Sequence, residues 1–145
     1  MSLVVYGSKS YNIAMKANPP GKLRVFASKP FKRFARRFSI SDEALWETVN
    51  GAWDADLGGG LFKFRLARQG EGSSGGARAL IAMRVGQRAV LMFGFEKKDQ
   101  ANIGPNELRA YRKAAGIYLG LSEDEIAAIV KQKLLSEIAP AKKGS

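Results

Sequence analysis

Lys63 and Arg65 stand two residues apart in a stretch whose other positions, Phe62, Phe64 and Leu66, are apolar. Side chains alternate along an extended strand, so both cations share the face opposite those three residues. Arg78 opens a second apolar stretch, and Lys97 and Lys98 follow a third. If the first two stretches pair as neighbouring strands, Arg78 reaches the face of Lys63 and Arg65. Four or five cations at one end of a small sheet repel each other, and folding favours that arrangement only where something anionic normally sits. Crowded cations also stabilise developing negative charge and are a route to an amine base. The alternative is a solvated face with lysine and arginine stems lying along it. Spacing alone leaves both open.

Other chemistries lack their residues. The 145 residues contain no Cys and no His, which excludes a disulfide scaffold, a thiol nucleophile, a Cys/His zinc site and any histidine-based triad. The acids do not cluster as metal ligands; Asp54-x-Asp56 comes nearest, at an expected helix end. No metal and no small-molecule cofactor is therefore expected. Gly70-Glu71-Gly72-Ser73-Ser74-Gly75 has the form of a dinucleotide fingerprint, but that motif needs a helix after it to hold the pyrophosphate, and here the pattern of a strand follows. Residues 69–77 read instead as a hairpin loop with Arg68 and Arg78 at its ends.

The elements that must place these cations are legible in the periodicity. Leu23 to Ser28 predicts a short strand, and Pro30 suits the first turn of a helix. Phe31, Phe34, Ala35 and Phe38 form one apolar stripe at helical spacing, with Lys32, Arg33, Arg36 and Arg37 opposite. Such a stripe belongs to the core far more often than to a base-stacking surface. Ser41, followed by Asp42 and Glu43, predicts a second helix with Leu45, Trp46, Val49 and Trp53 inward, ending before Gly58-Gly59-Gly60. Three strands follow: 61–68, 78–85 and 88–95, the last two joined at Gly86-Gln87 in an expected type II′ turn. Gly104-Pro105-Asn106 opens a helix carrying Leu108, Tyr111, Ala115, Tyr118 and Leu119. Ser122-x-x-Glu125 is a capping box for a last helix with Ile126, Ile129, Val130 and Leu134 as its stripe. The fold class is α+β: a short N-terminal strand and a three-strand meander in an antiparallel sheet, packed with two N-terminal helices and the C-terminal helices.

Charge supports an anionic partner. The chain carries 24 Lys+Arg against 13 Asp+Glu, a net +11. Residues 1–40 hold nine bases and no acid, residues 41–56 five acids and no base, and residues 57–100 return to +5. A fold that joins the first and third blocks presents a basic face, with the acidic block turned elsewhere. Such a field concentrates nucleic acid. The longest apolar run, Ala89 to Phe93, is too short to span a membrane, and no signal peptide is visible, so a cytoplasmic protein is expected.

The motifs resemble a family. Phe31-x-x-Phe34-Ala35-Arg36, Asp56-Leu57-Gly58-Gly59-Gly60-Leu61-x-Lys63-x-Arg65, Arg68-x-Gly70-x-Gly72-x-Ser74-Gly75-Gly76-x-Arg78 and Gly94-Phe95-x-Lys97 are similar to blocks of the RelE/HigB-type toxins of bacterial type II toxin–antitoxin pairs, within the RelE/ParE superfamily. The Leu-Gly-Gly-Gly…Lys-x-Arg and Gly-Gly-x-Arg blocks carry most of the specificity. The resemblance covers roughly residues 23–120. It leaves 1–22 as a flexible N-terminal extension, 121–140 as an additional C-terminal helix and 141–145 as a flexible tail.

The resemblance implies a small α+β toxin that inhibits translation by metal-independent cleavage of mRNA, usually in the ribosomal A site. It also implies restraint by a cognate antitoxin, of which the helix-turn-helix proteins are one type. In that chemistry a 2′-hydroxyl attacks the adjacent phosphate and cations stabilise the charge. Carried onto this chain, Lys63 is the base or electrostatic catalyst, Arg65 positions the backbone, Arg78 stabilises the phosphorane and Lys97 supplies a proton to the leaving oxygen. Arg68 and Lys98 are further phosphate contacts. Some members stack the mRNA base on a Tyr after the third strand. This chain reads Glu96-Lys97-Lys98-Asp99-Gln100-Ala101-Asn102 there, so either Phe95 or a helix tyrosine substitutes or stacking is weaker. Two other functions fit the scaffold: a non-cleaving inhibitor like the ParE branch, which acts against gyrase, and a basic RNA-binding module without chemistry.

Overall fold

The computed structural model describes residues 22–66 and 76–140. The expected extension before residue 22, the body of the glycine-rich hairpin loop with Arg68, and the expected tail 141–145 lie outside the described residues.

Strand β1 (Arg24–Ser28) runs directly into helix α1 (Lys29–Arg37). Ser28 makes that junction: its Oγ accepts the Phe31 N–H at 3.2 Å and donates to the Met92 carbonyl at 2.9 Å. Pro30 sits in the first turn, as expected. The predicted stripe faces the core, with Phe31 and Ala35 buried and Phe34 and Phe38 packed partly buried beside them. Helix α2 (Asp42–Asn50) begins at Ser41, whose side chain accepts the Ala44 N–H at 3.1 Å. It stops at Gly51, short of Trp53. That residue is exposed rather than inward, with its ring 4.6 Å from that of Phe62.

The chain leaves α2 to form a strand, β2 (Ala55–Gly58), antiparallel to β3 (Leu61–Leu66). Gly58, Gly59 and Gly60 all adopt positive φ, a backbone that side-chain-bearing residues rarely take. At Gly60 a Cβ would also stand 2.6 Å from Leu119 Cδ1. Strands β4 (Ala77–Arg84) and β5 (Arg88–Glu96) complete the antiparallel meander. In the turn between them the Gln87 N–H donates to the Arg84 carbonyl at 3.0 Å. Gly86 thus takes the second central position, with φ +76°, where a type II′ turn would need it in the first. After a 3-10 turn (Lys97–Asn102) come α3 (Pro105–Gly120) and α4 (Glu123–Lys131), the latter with its capping box intact.

Helix α4 ends sooner than its apolar stripe suggests. Lys133 adopts φ +65° and the Leu134 N–H returns to the Ile129 carbonyl at 3.1 Å, a left-handed helix stop that leaves Leu134 exposed. The chain then forms a sixth strand, β6 (Leu135–Ile138). The sheet order is β2-β3-β4-β5-β1-β6. It is mixed rather than antiparallel, because β1 pairs in parallel with β5, from Arg24↔Arg88 to Ala27↔Leu91. β6 lies antiparallel on the other edge of β1. With four helices and six strands among the described residues, the class is α+β as expected.

Both faces of the sheet are covered. Val25, Phe62, Phe64, Ile81 and Leu91 form the core under α1 and α2. Phe26, Leu61, Leu80, Val90 and Phe95 pack on the other face with Ala115 and Leu119 of α3 and Ile126 of α4. Burying each large side chain of this kind contributes about 1.5–3 kcal/mol. The C-terminal elements are also clamped by charge. Arg24 donates to both oxygens of Glu137, at 2.9 and 2.8 Å, and to Glu123 at 2.6 Å. The nearly buried Arg88 donates to Glu123 at 2.9 Å and to the Tyr118 and Leu121 carbonyls at 3.0 and 2.7 Å. The hydrogen bond that Arg24 donates to Glu137, with the charges of Glu137 and Glu123, raises the Arg24 pKa against the opposing effect of burial.

Candidate functional site

Strand register brings three of the expected cations together. Arg65 lies directly opposite Arg78 and Lys63 opposite Leu80, so all three cations share the sheet face of Leu61 and Leu80. Their surroundings differ. The Arg65 side chain is 44% exposed, that of Lys63 18% and that of Arg78 only 4%. Arg78 is held in place by a bond from its NH1 to the Ala77 carbonyl at 3.1 Å.

An acid stands among them. The Asp54 carboxylate lies 3.7 Å from Lys63 Nζ, 3.7 Å from an Arg65 terminal nitrogen and 3.7 Å from Arg78 Nε. The acidic block is therefore not wholly turned away from the basic face, as the charge pattern had suggested. The backbone explains why: the Asp54 N–H donates to the Lys63 carbonyl at 2.7 Å, just beyond the β2–β3 hairpin. Three successive glycines fold the chain back on itself and carry an acid from nine residues upstream to Lys63. At an effective dielectric of about 20, each such contact is worth roughly 4 kcal/mol before desolvation and repulsion between the cations are subtracted. Among the described residues, one carboxylate stands against these three cations.

Lys97 and Lys98 occupy the same end of the sheet. Ala77 pairs with Glu96, and the Lys97 N–H donates to the Gly76 carbonyl, so Lys97 follows immediately after the β4–β5 ladder. Both lysines are exposed, with Lys98 Nζ 4.0 Å from Glu96. The structure gives no direct contact between either lysine and the Asp54 cluster.

Phe34 and Phe38 from α1, Phe93 and Phe95 from β5, and Tyr111 from α3 line a cavity of about 350 Å³ that also touches Glu96. Phe95 is nearly buried and stacks 6.0 Å from Phe93, whose other neighbour is Tyr111 at 5.3 Å. Tyr111 is half-buried, and burial together with the charge of Glu107 pushes its pKa up. Gly94 permits the close approach of α1: a Cβ there would stand 2.3 Å from the Phe34 ring. Among the described residues no three His, Cys, Asp or Glu lie together as metal ligands, and no helix is long and apolar enough to cross a membrane.

Asp54 is the member of this site that sequence reasoning missed, since it was read at a helix end beside Asp56. The signal that marks it is the glycine run, about which residues 54–56 fold back toward Lys63. A search of curated proteins finds no match to the chain. Residues 23–138 match the family model described as the RelE toxin of the RelE/RelB toxin–antitoxin system. That span takes in every described strand and helix, from β1 to β6, and the chain belongs to the RelE toxin family.

Proposed function

We propose that this chain is the toxin of a toxin–antitoxin pair and inhibits translation by cutting mRNA at a ribosome, in the cytoplasm, without a metal. The observation that carries the reading is the convergence of Lys63, Arg65 and Arg78 on one sheet face around Asp54, with Lys97 at the same sheet end. The reaction asks little else of the protein. The 2′-oxygen forms a bond to phosphorus as the bond to the 5′-oxygen breaks, and negative charge builds on the non-bridging oxygens between. Fixed cations aimed at that charge lower the barrier. Arg78, held by β4 and nearly buried, stabilises the phosphorane. Arg65, the most exposed of the three, positions the RNA backbone. Lys63 serves as base or electrostatic catalyst, and Lys97 delivers a proton to the departing 5′-oxygen. Arg68 and Lys98 contribute phosphate contacts. The aromatic cavity beside Glu96, walled by Phe95 and Tyr111, receives a base next to the scissile bond. The family's pairing with an antitoxin supplies the partner that restrains the activity.

The test is induction of the wild-type chain and of Lys63→Ala in a bacterial host, with mapping of new mRNA 5′ ends. Cuts confined to translated frames and absent in the variant are expected. Growth arrest without new ends would replace this reading with a non-cleaving inhibitor, and no arrest with a plain RNA-binding module.

A further inference from the structure

We propose that Asp54 is a resident counter-ion in the phosphate seat: its carboxylate holds Lys63, Arg65 and Arg78 together in the free protein and yields its place to an RNA phosphate. The inference deepens the reading above and rests on it for the identity of the incoming anion. Three features support it. The carboxylate is shared among three cations at 3.7 Å each, beyond hydrogen-bonding range, rather than paired with any one of them. The same chain makes carboxylate–guanidinium contacts of 2.6–2.9 Å where it clamps its C-terminal elements, whereas Arg65 and Arg78 stand 3.7 Å from Asp54. The Asp54 side chain is also 30% exposed while its backbone is pinned to Lys63, which leaves the carboxylate free to move without the strand.

The physical role follows from charge. Without an anion, the three cations repel and their long side chains spread. A carboxylate at their centre offsets that repulsion. It also opposes an entering phosphate, because two anions in one seat repel. Asp54 is thus a positioning residue that trades affinity for order.

The experiment measures binding of a short 2′-O-methyl RNA, which lacks the nucleophile and cannot be cut, by fluorescence anisotropy. Asp54→Asn, which keeps the shape and removes the charge, is expected to bind about tenfold more tightly than wild type. Asp54→Glu, which restores the charge, should lie within about twofold of wild type. Equal or weaker binding by folded Asp54→Asn overturns the inference, as does the lack of measurable binding by either protein. A second measurement needs no variant: in wild-type protein the Asp54 carboxyl carbon resonance should move as the oligomer saturates the site. If binding proceeds while that resonance stays fixed, the carboxylate does not yield and the inference fails. Tighter binding by Asp54→Asn in a protein that cuts no mRNA would retain this inference and sink the nuclease reading, so the two failures are distinguishable.

Discussion

Two charged networks in this molecule use the same residue types in opposite ways. At the β1/β6 edge, Arg24 and Arg88 meet Glu123 and Glu137 in equal numbers, at 2.6–2.9 Å, and the Tyr118 and Leu121 carbonyls also accept from Arg88. At the other side of the sheet, Lys63, Arg65 and Arg78 lie around the carboxylate of Asp54 at 3.7 Å. The first network is complete, and its charges cancel. The second is loose, with one carboxylate within 4 Å of these three cations among the described residues. A network of short contacts fixes structure, whereas a loose one keeps electrostatic capacity for a ligand. Short, balanced contacts therefore mark the clamp, and long, unbalanced ones mark the site.

That contrast can be broken at several points. The largest expected effect is on stability: Arg88→Ala strips a nearly buried cation from Glu123 and from two carbonyls, and should cost about 3–5 kcal/mol in urea unfolding. A loss under about 1 kcal/mol would show that the clamp is ornamental. Next comes Arg78→Lys, which keeps the charge but loses the planar guanidinium; mRNA cleavage should fall about 10²–10³-fold while the protein stays folded. Full cleavage by that variant would remove Arg78 from the chemistry.

Salt sharpens the comparison more gently. If three phosphates are neutralised, raising salt from about 50 to 200 mM should weaken binding of single-stranded RNA roughly 20-fold, and the same change should shift unfolding little. Equal sensitivity of both would mean that the clamp is as solvent-screened as the site. The smallest effect belongs to Arg65→Ala, whose side chain is 44% exposed: stability should change by less than about 0.5 kcal/mol even as RNA affinity drops. A large destabilisation would reassign Arg65 to the structure.

Much of this architecture is legible residue by residue. The Phe31 stripe, the caps at Ser41 and Ser122, and the alternation of Phe62, Lys63, Phe64 and Arg65 depend on near neighbours in the chain, and each appears as read. Strands β2 and β6 do not share that property. Each is only four residues long, too short for its pattern to mark it as a strand, and each forms by pairing at an edge of the sheet. Trp53 and Leu134 were drawn into helices by their spacing, yet both helices stop earlier, one at Gly51 and the other at the left-handed Lys133. Periodicity cannot register a stop that pairing with a distant strand imposes.

The sequence by itself determined the fold class, the helix caps at Ser41 and Ser122, and the alternation that sets Lys63 and Arg65 on one strand face, because these follow from local spacing and side-chain chemistry. Only the tertiary structure decided the parallel pairing of β1 with β5, the C-terminal clamp and the place of Asp54 among its three cations. Those three depend on contacts between residues far apart in the chain or on the register of a hairpin, and the energy of such contacts is set by distance and burial that no single segment encodes.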